Sequence, residues 1–192
     1  MAPIPAPPVP LSQLGRAAHD IGLAGLLGGN LFGRLALHPS VTEISDKRER
    51  GKLVNAAWRR YGVINSASLL ALVGGWLGAR AKEAAPGQLS EGERRLALAK
   101  DALVGVVVVT GVASAAQGMR FSRQAPGGAV PLEDGDHTAA EASAQQRRTK
   151  AQLNALGLAS IAADLALVGI NAALAQQGFR RPPRRRLLPW RD

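Results

Sequence analysis

Residues 62–79 ("GVINSASLLALVGGWLGA") and 102–119 ("ALVGVVVVTGVASAAQGM") each run 18 positions without a charged side chain. At 1.5 Å per residue such a run makes a helix about 27 Å long, close to the hydrocarbon thickness of a bilayer at about 30 Å. Backbone polar groups in lipid must be satisfied within the segment itself, which leaves the α-helix as the form for a single run. Two more segments share the pattern: 20–38 ("DIGLAGLLGGNLFGRLALH"), and 151–175 ("AQLNALGLASIAADLALVGINAALA"), in which Asp164 is the lone charge. The expected architecture is all-α: a four-helix transmembrane bundle with basic loops and tails, its spans at about 20–38, 62–79, 102–119 and 151–175.

A soluble four-helix bundle is the competing architecture. It requires a polar outer stripe at a 3.6-residue period, and 62–79 and 102–119 have no Lys or Glu stripe. Valines and leucines exposed to water along two whole helices would be an aggregation liability. The charge distribution agrees with lipid. Charged residues make up only 20% of the 192-residue chain while the net charge is +10, so basic clusters alternate with apolar runs.

The chain divides into a Pro-rich flexible segment (1–18), a four-helix membrane domain (19–179) and an Arg/Pro-rich tail (180–192). The opening "MAPIPAPPVPLSQLGR" has no charged region ahead of an apolar run and does not read as a secretory signal. In the tail, Arg180, Arg181, Arg184, Arg185 and Arg186 suit anionic lipid headgroups at about 1 kcal/mol each. Pro182 and Pro183 keep that run from entering a nucleic-acid groove as a helix, so no nucleic acid is expected. Lys and Arg divide almost evenly between the two sides of the expected topology. The positive-inside rule therefore gives little, and the tail alone tips the expectation to cytoplasmic termini in a bacterial inner (cytoplasmic) membrane. The bilayer is the expected partner, with a homodimer or a membrane-protein partner as candidates.

Between helices in lipid, close packing replaces hydrophobic drive. Gly22, Gly25, Gly29 and Gly33 line one face of the first helix, and Gly74 with Gly78, and Gly111 with Gly118, repeat the small-residue spacing on the second and third. Intramolecular packing is the expected use, and a dimer seam the alternative. Residues 43–62 are amphipathic enough to extend the second helix outward, with Trp58 and Tyr61 as interface anchors. Ser90 and Glu93 form the S-x-x-E pattern of a capping box, which starts a helix near 91.

An Asp at the centre of a span costs about 2.5–3.5 kcal/mol on the insertion scale. Helix 4 is therefore marginal alone and relies on its neighbours. Gly157, Ser160, Asp164 and Asn171 share a face. On helix 1, Asn30, Arg34 and His38 recur every four residues, and His19 belongs to the same side. The expectation is a polar interior where Asp164 meets Arg34, or else Asn30 and its neighbours. Intramembrane ionisable residues are functional candidates; the alternative is a neutral Asp164 that only fixes packing.

Much is excluded. With no cysteine there is no disulfide, thiolate metal site or iron–sulfur cluster. His19 and His38 stand roughly 28 Å apart along one helix, too far to share a haem. His19 and Asp20 alone do not make a metal site, so neither metal nor cofactor is expected. "GLLGGN" (25–30) follows no strand and is not a phosphate loop.

"GLAGLLGGNLFGRLALHPSV" (22–41), followed by a basic segment and "VINSASLL" (63–70), resembles the small four-helix membrane proteins grouped with anthrone-oxygenase-like families. "ALAKDALVGVVVVTGVASAAQGM" (97–119) and "LNALGLASIAADLALVGINAALAQ" (153–176) resemble an uncharacterised bacterial family of such proteins. The resemblance is one of layout over about 20–176. It implies chemistry on a hydrophobic aromatic substrate, with Asn30, His38 and Asn65 as polar contacts. Three functions are thus in view: a structural or accessory membrane subunit, a cofactor-free membrane enzyme acting on an apolar substrate, and a proton-coupled carrier using Asp164. The first predicts a filled interior; the second predicts an internal pocket lined by Asn30, His38 and Asp164.

Overall fold

The computed structural model describes residues 11–82 and 84–179. Four long helices make up the bundle: α1 (Leu11–Phe32), α2 (Lys47–Arg80), α3 (Glu91–Ser122) and α4 (Ala144–Phe179). They form a ring in which α1 packs mainly on α2 and α3 mainly on α4. The join of α1 to α4 is less extensive, and α2 and α3 make the slightest contact of the four neighbouring pairs.

The helix starts follow from local chemistry. Asp46 caps α2, its carboxylate accepting from the backbone N–H of Arg48 at 2.7 Å and of Glu49 at 3.1 Å. Ser90 caps α3 with the full reciprocal box: Glu93 N–H donates to Ser90 Oγ, and Glu93 Oε2 accepts from Ser90 N–H at 2.9 Å. These bonds satisfy amide groups that have no partner within the helix.

α1 does not end cleanly at Phe32. It widens into a π turn over Gly33–Leu37, where His38 N–H bonds back to Gly33 O, and resumes over His38–Ser40. Pro39 explains the widening. Its ring would collide with the Leu35 carbonyl in a regular α-helix, and a π turn moves that carbonyl aside.

Three helices, Lys47–Arg80, Glu91–Ser122 and residues 144–177 of α4, are long and apolar enough to cross a membrane. Only 17%, 28% and 22% of their most apolar windows are buried inside the bundle. A water-soluble bundle would bury that surface, so its outward placement argues for lipid around it. α1 has no stretch as long and apolar as these three, yet it also turns Ile21, Phe32 and Leu35 outward.

Two cores hold the structure. The larger lies in the bundle and contains Leu23, Leu26, Leu72, Val107, Ala163 and Leu167. The smaller, of Val41, Val54, Phe121, Val130 and Leu132, closes one end. There α2 runs on past its charge-free part, and the strap 123–143 folds over it. Leu132 N–H donates to Lys47 O at 3.0 Å, and Gly135 N–H donates to His38 O at 2.9 Å. A lone antiparallel bridge between Leu132 and Thr138 tightens the strap.

The glycines of α1 do what close packing requires. A Cβ on Gly22 would lie 2.4 Å from Ser68 O, one on Gly29 2.1 Å from Tyr61 Oη, and one on Gly33 2.3 Å from the Trp58 ring. Gly25 meets Ser68 Oγ in the same way. On α2 the expected positions are displaced: Gly74 and Gly78 have open space, and Gly75 makes the close approach, where a Cβ would lie 2.2 Å from Gly15 O. On α3, Gly118 is open and a Cβ on Gly111 would meet only Leu69, at an ordinary 3.6 Å. Trp58 and Tyr61 are likewise not interface anchors. They turn inward, Trp58 Nε1 donating to His38 Nε2 at 3.1 Å and the Tyr61 hydroxyl to Gly25 O. Facing glycines leave room for both rings, and the bonds satisfy their polar atoms.

Candidate functional site

Polar and ionisable side chains gather at three levels of the bundle. The first is the end where α1 begins and α4 finishes. A cleft of about 600 Å³ opens there, lined by residues from all four helices including Arg16, His19, Trp76, Glu93, Lys100 and Asn171. Lys100 is 6% exposed; its ammonium donates to Asn171 Oδ1 at 2.6 Å and sits 4.2 Å from the centre of the Trp76 ring. Asn171 Nδ2 donates in turn to Asp20 Oδ1 at 3.1 Å, and His19 Nδ1 lies 3.0 Å from the same oxygen. His19 is buried, and its Nε2 has no hydrogen-bond partner. Below the Trp76 ring, Asp101 accepts from Trp76 Nε1 at 2.8 Å and from Arg80 Nη2 at 2.9 Å. Ala79, Ala84, Leu89 and Leu174 give the cleft its apolar walls.

The second level is the centre. Asp164 is fully buried and accepts one bond, from Asn30 Nδ2 to its Oδ2 at 3.3 Å; its Oδ1 has no partner. Asn30, Asn65, Ser114, Ser160 and Asp164 all line a cavity of about 30 Å³. Ser160 Oγ donates to Thr110 Oγ1 at 2.9 Å, which ties α4 to α3.

The third level is the strap end. Arg34 does not reach Asp164. Its Nη1 donates to Asp136 Oδ1 at 2.8 Å, and His38 Nδ1 lies 2.8 Å from the same atom. Arg34 stands one turn past Asn30 toward the strap, and the strap brings it a carboxylate there. Lys150, 6% exposed, and Asn154, whose Nδ2 donates to Asp136 O at 2.7 Å, complete the cluster. On the strap itself Asp134 has its pKa lowered. Burial opposes this, but bonds from the His137 ring and from the backbone N–H of Asp136 and His137 outweigh it. The Lys47 ammonium, bonded at 2.7 Å, lowers Glu133, and the cap bonds from Glu49 and Arg48 lower Asp46.

The expected site is therefore divided. Asp164, Asn30 and Asn65 meet at the centre; Arg34 and His38 meet around Asp136 instead. The contacts implied by the anthrone-oxygenase-like resemblance divide the same way, with His38 a level away from Asn30 and Asn65. Arg180, Arg181, Arg184, Arg185 and Arg186 lie outside the described residues. Among the described residues no three His, Cys, Asp or Glu side chains come close enough to share a metal ion. Asp20, Trp76, Lys100 and Asn171 were missed as a group. The available signal was that each polar or aromatic residue stands at the same end of its own apolar run.

No protein-family model matches the chain, and no curated protein or solved structure matches it significantly.

Proposed function

We propose that this chain is a small multi-pass protein of the bacterial inner membrane with an accessory, ligand-holding role, and that its ligand is an amphiphile seated in the cleft at the end where α1 begins and α4 finishes. Lipid solvates all four helices, and both termini face the cytoplasm, where the Arg-rich tail meets anionic headgroups.

One observation carries this reading. The space of ligand size, about 600 Å³, is at the cleft, whereas the centre around Asp164 offers about 30 Å³. Binding sites for small molecules commonly occupy 300–1,000 Å³, with apolar walls and a few converging polar groups. The cleft has both, and its charges come from both signs: Arg16 and Lys100 against Asp20 and Glu93. That mixture suits a headgroup with donors and acceptors, its hydrocarbon part lying along Leu89, Ala97 and Leu174.

The cleft and the central carboxyl do not communicate through polar groups. Leu23, Leu72, Val104 and Leu167, one on each helix, are buried between the two levels. This dry layer weighs against a carrier that passes its cargo from one level to the other.

A second reading uses the same cleft for cofactor-free chemistry. His19, held on its Nδ1 side by Asp20 and unpartnered at Nε2, has the arrangement of a general base oriented by a carboxylate.

Native mass spectrometry of the full chain, released from nanodiscs of bacterial lipid, tests the binding reading. A retained amphiphile should be seen with the wild type and with Asp164→Asn, and should be lost with Lys100→Met and Asn171→Leu. Equal retention by Lys100→Met and the wild type would sink it. His19→Gln separates the second reading, since it should keep the ligand and abolish its conversion.

A further inference from the structure

The central cavity poses a separate chemical problem. Asp164 is 0% exposed, and Arg34, the nearest guanidinium along α1, is engaged by Asp136. A carboxylate in a low-dielectric interior must be neutralised, by a proton or by a cation. Among the described residues Asp164 is the one ionisable side chain lining the cavity; the other polar groups there are two carboxamides, Asn30 and Asn65, and two hydroxyls, Ser114 and Ser160.

The donor set selects the cation. Every polar side chain at the cavity offers oxygen and none offers sulfur or imidazole nitrogen, which suits a hard ion. One carboxylate balances one positive charge. A divalent ion would leave an excess charge in an apolar core, and Ca²⁺ asks for six to eight oxygens. A cavity needs roughly 10–15 Å³ to accept a body the size of water, and this one has about 30 Å³. Asp164 Oδ1 accepts no hydrogen bond from the described residues, which leaves its lone pairs uncommitted. Asn30 uses its Nδ2 on Asp164 Oδ2 and so keeps its carbonyl oxygen for a ligand.

We propose that Asp164, Asn30, Asn65, Ser114 and Ser160 form a monovalent-cation site that takes Na⁺. Bound there, the ion neutralises Asp164 and links all four helices, since Asn30 is on α1, Asn65 on α2, Ser114 on α3 and Asp164 with Ser160 on α4. The site is independent of the amphiphile cleft and stands if that reading fails.

Thermal unfolding of the full chain in detergent, at pH 8 and constant ionic strength, tests the proposal with NaCl, KCl and choline chloride. Na⁺ should raise the melting temperature in a saturating manner by several degrees, K⁺ less and choline not at all, because an ion that binds only the folded state stabilises it by mass action. Asn65→Ala and Ser114→Ala remove one ligand each at the cavity wall and should raise the half-saturating Na⁺ concentration about fivefold or more. Asp164→Asn, where it folds, should abolish the Na⁺ response. Equal melting in the three salts would overturn the site in favour of a protonated Asp164, as would an unchanged Na⁺ response in both single-ligand variants.

Discussion

Gly22→Ala and Gly28→Ala are the same chemical change on the same helix, and the structure gives them opposite consequences. A Cβ at position 22 would lie 2.4 Å from Ser68 O and 2.7 Å from Leu72 N, both backbone atoms of α2, whereas at position 28 nothing lies within 4 Å. Ordinary contact begins at 3.4 Å, so α1 and α2 must part by about 1 Å, and overpacking of this kind costs about 1–3 kcal/mol. Parting the helices also loosens Gly25 and Gly29, which seat on the same α2 face. The gain in helix propensity, about 1 kcal/mol in water, shrinks in a micelle because the helices persist on unfolding. Gly22→Ala should therefore be destabilised by about 1–3 kcal/mol relative to Gly28→Ala, which itself should match or slightly exceed the wild type. Unfolding in mixed micelles with rising SDS fraction, followed by Trp fluorescence, measures the difference. A companion cycle sharpens it: Gly25→Ala meets only Ser68 Oγ at 2.3 Å and Ser68 Cβ at 3.2 Å, so Ser68→Ala should restore most of what Gly25→Ala loses. Equal stability of Gly22→Ala and Gly28→Ala would refute the packing of α1 on α2.

Asp136→Ala leaves Arg34 and buried His38 without their shared acceptor, and should cost about 1–3 kcal/mol and speed proteolysis within the strap 123–143. The folded-state pKa values of Asp46, Glu133 and Asp134 are lowered, so their contribution to stability is complete above the ordinary carboxylate range and is lost as pH falls through the folded values, below about pH 4. Hydrogen exchange of residues 41–50 and 124–143 should accelerate in that window before exchange of the helices does, and Asp134→Ala should reduce the acceleration in the strap. Ser90→Ala removes the oxygen that caps α3 and should destabilise its first turn by about 1 kcal/mol, seen as faster exchange confined to residues 91–94.

Much of the helical layout was legible because lipid imposes a length and a polarity that a sequence states directly. The 18-residue runs at 62–79 and 102–119 lie inside α2 and α3, and Ser90 with Glu93 marks the start of α3 to the residue. The meeting of Asp164 with Asn30 was legible as one of two options, since both stand on polar stripes at matching depth. The register between helices was not. Gly74 and Gly75 are adjacent and about 100° apart around α2, and only the partner decides which of them faces inward; small-residue spacing favoured Gly74 with Gly78, and α1 meets Gly75. Asp136 was hidden for a different reason. It sits in a Pro/Gly/acidic strap with no periodicity, so nothing local says that the strap returns to Arg34 and His38. The cleft was hidden because its residues come from four distant segments, and only the fold brings Lys100 beside Asn171 and Trp76.

The two ends of the bundle differ in how they are closed, and that difference bears on how an ion would reach Asp164. At the strap end, Val41, Val54, Phe121, Val130 and Leu132 form a dry plug, and Gly135 lies directly against His38, where a Cβ would be 2.2 Å from His38 Cβ. At the other end the layer of Leu23, Leu72, Val104 and Leu167 parts the cleft from the centre. The strap end also carries polar groups toward the centre, since Arg34, held by Asp136, stands one turn from Asn30. A second approach is lateral, between α2 and α3, where helix contact is slightest and where a Cβ on Gly111 would lie 3.6 Å from Leu69, beside Asn65 and Ser114. That edge is tied at the cleft end, where Asp101 of α3 accepts from Trp76 Nε1 and Arg80 Nη2 of α2. A cation bound at the centre, with ligands from both α2 and α3, would tie the same edge a second time at mid-bundle.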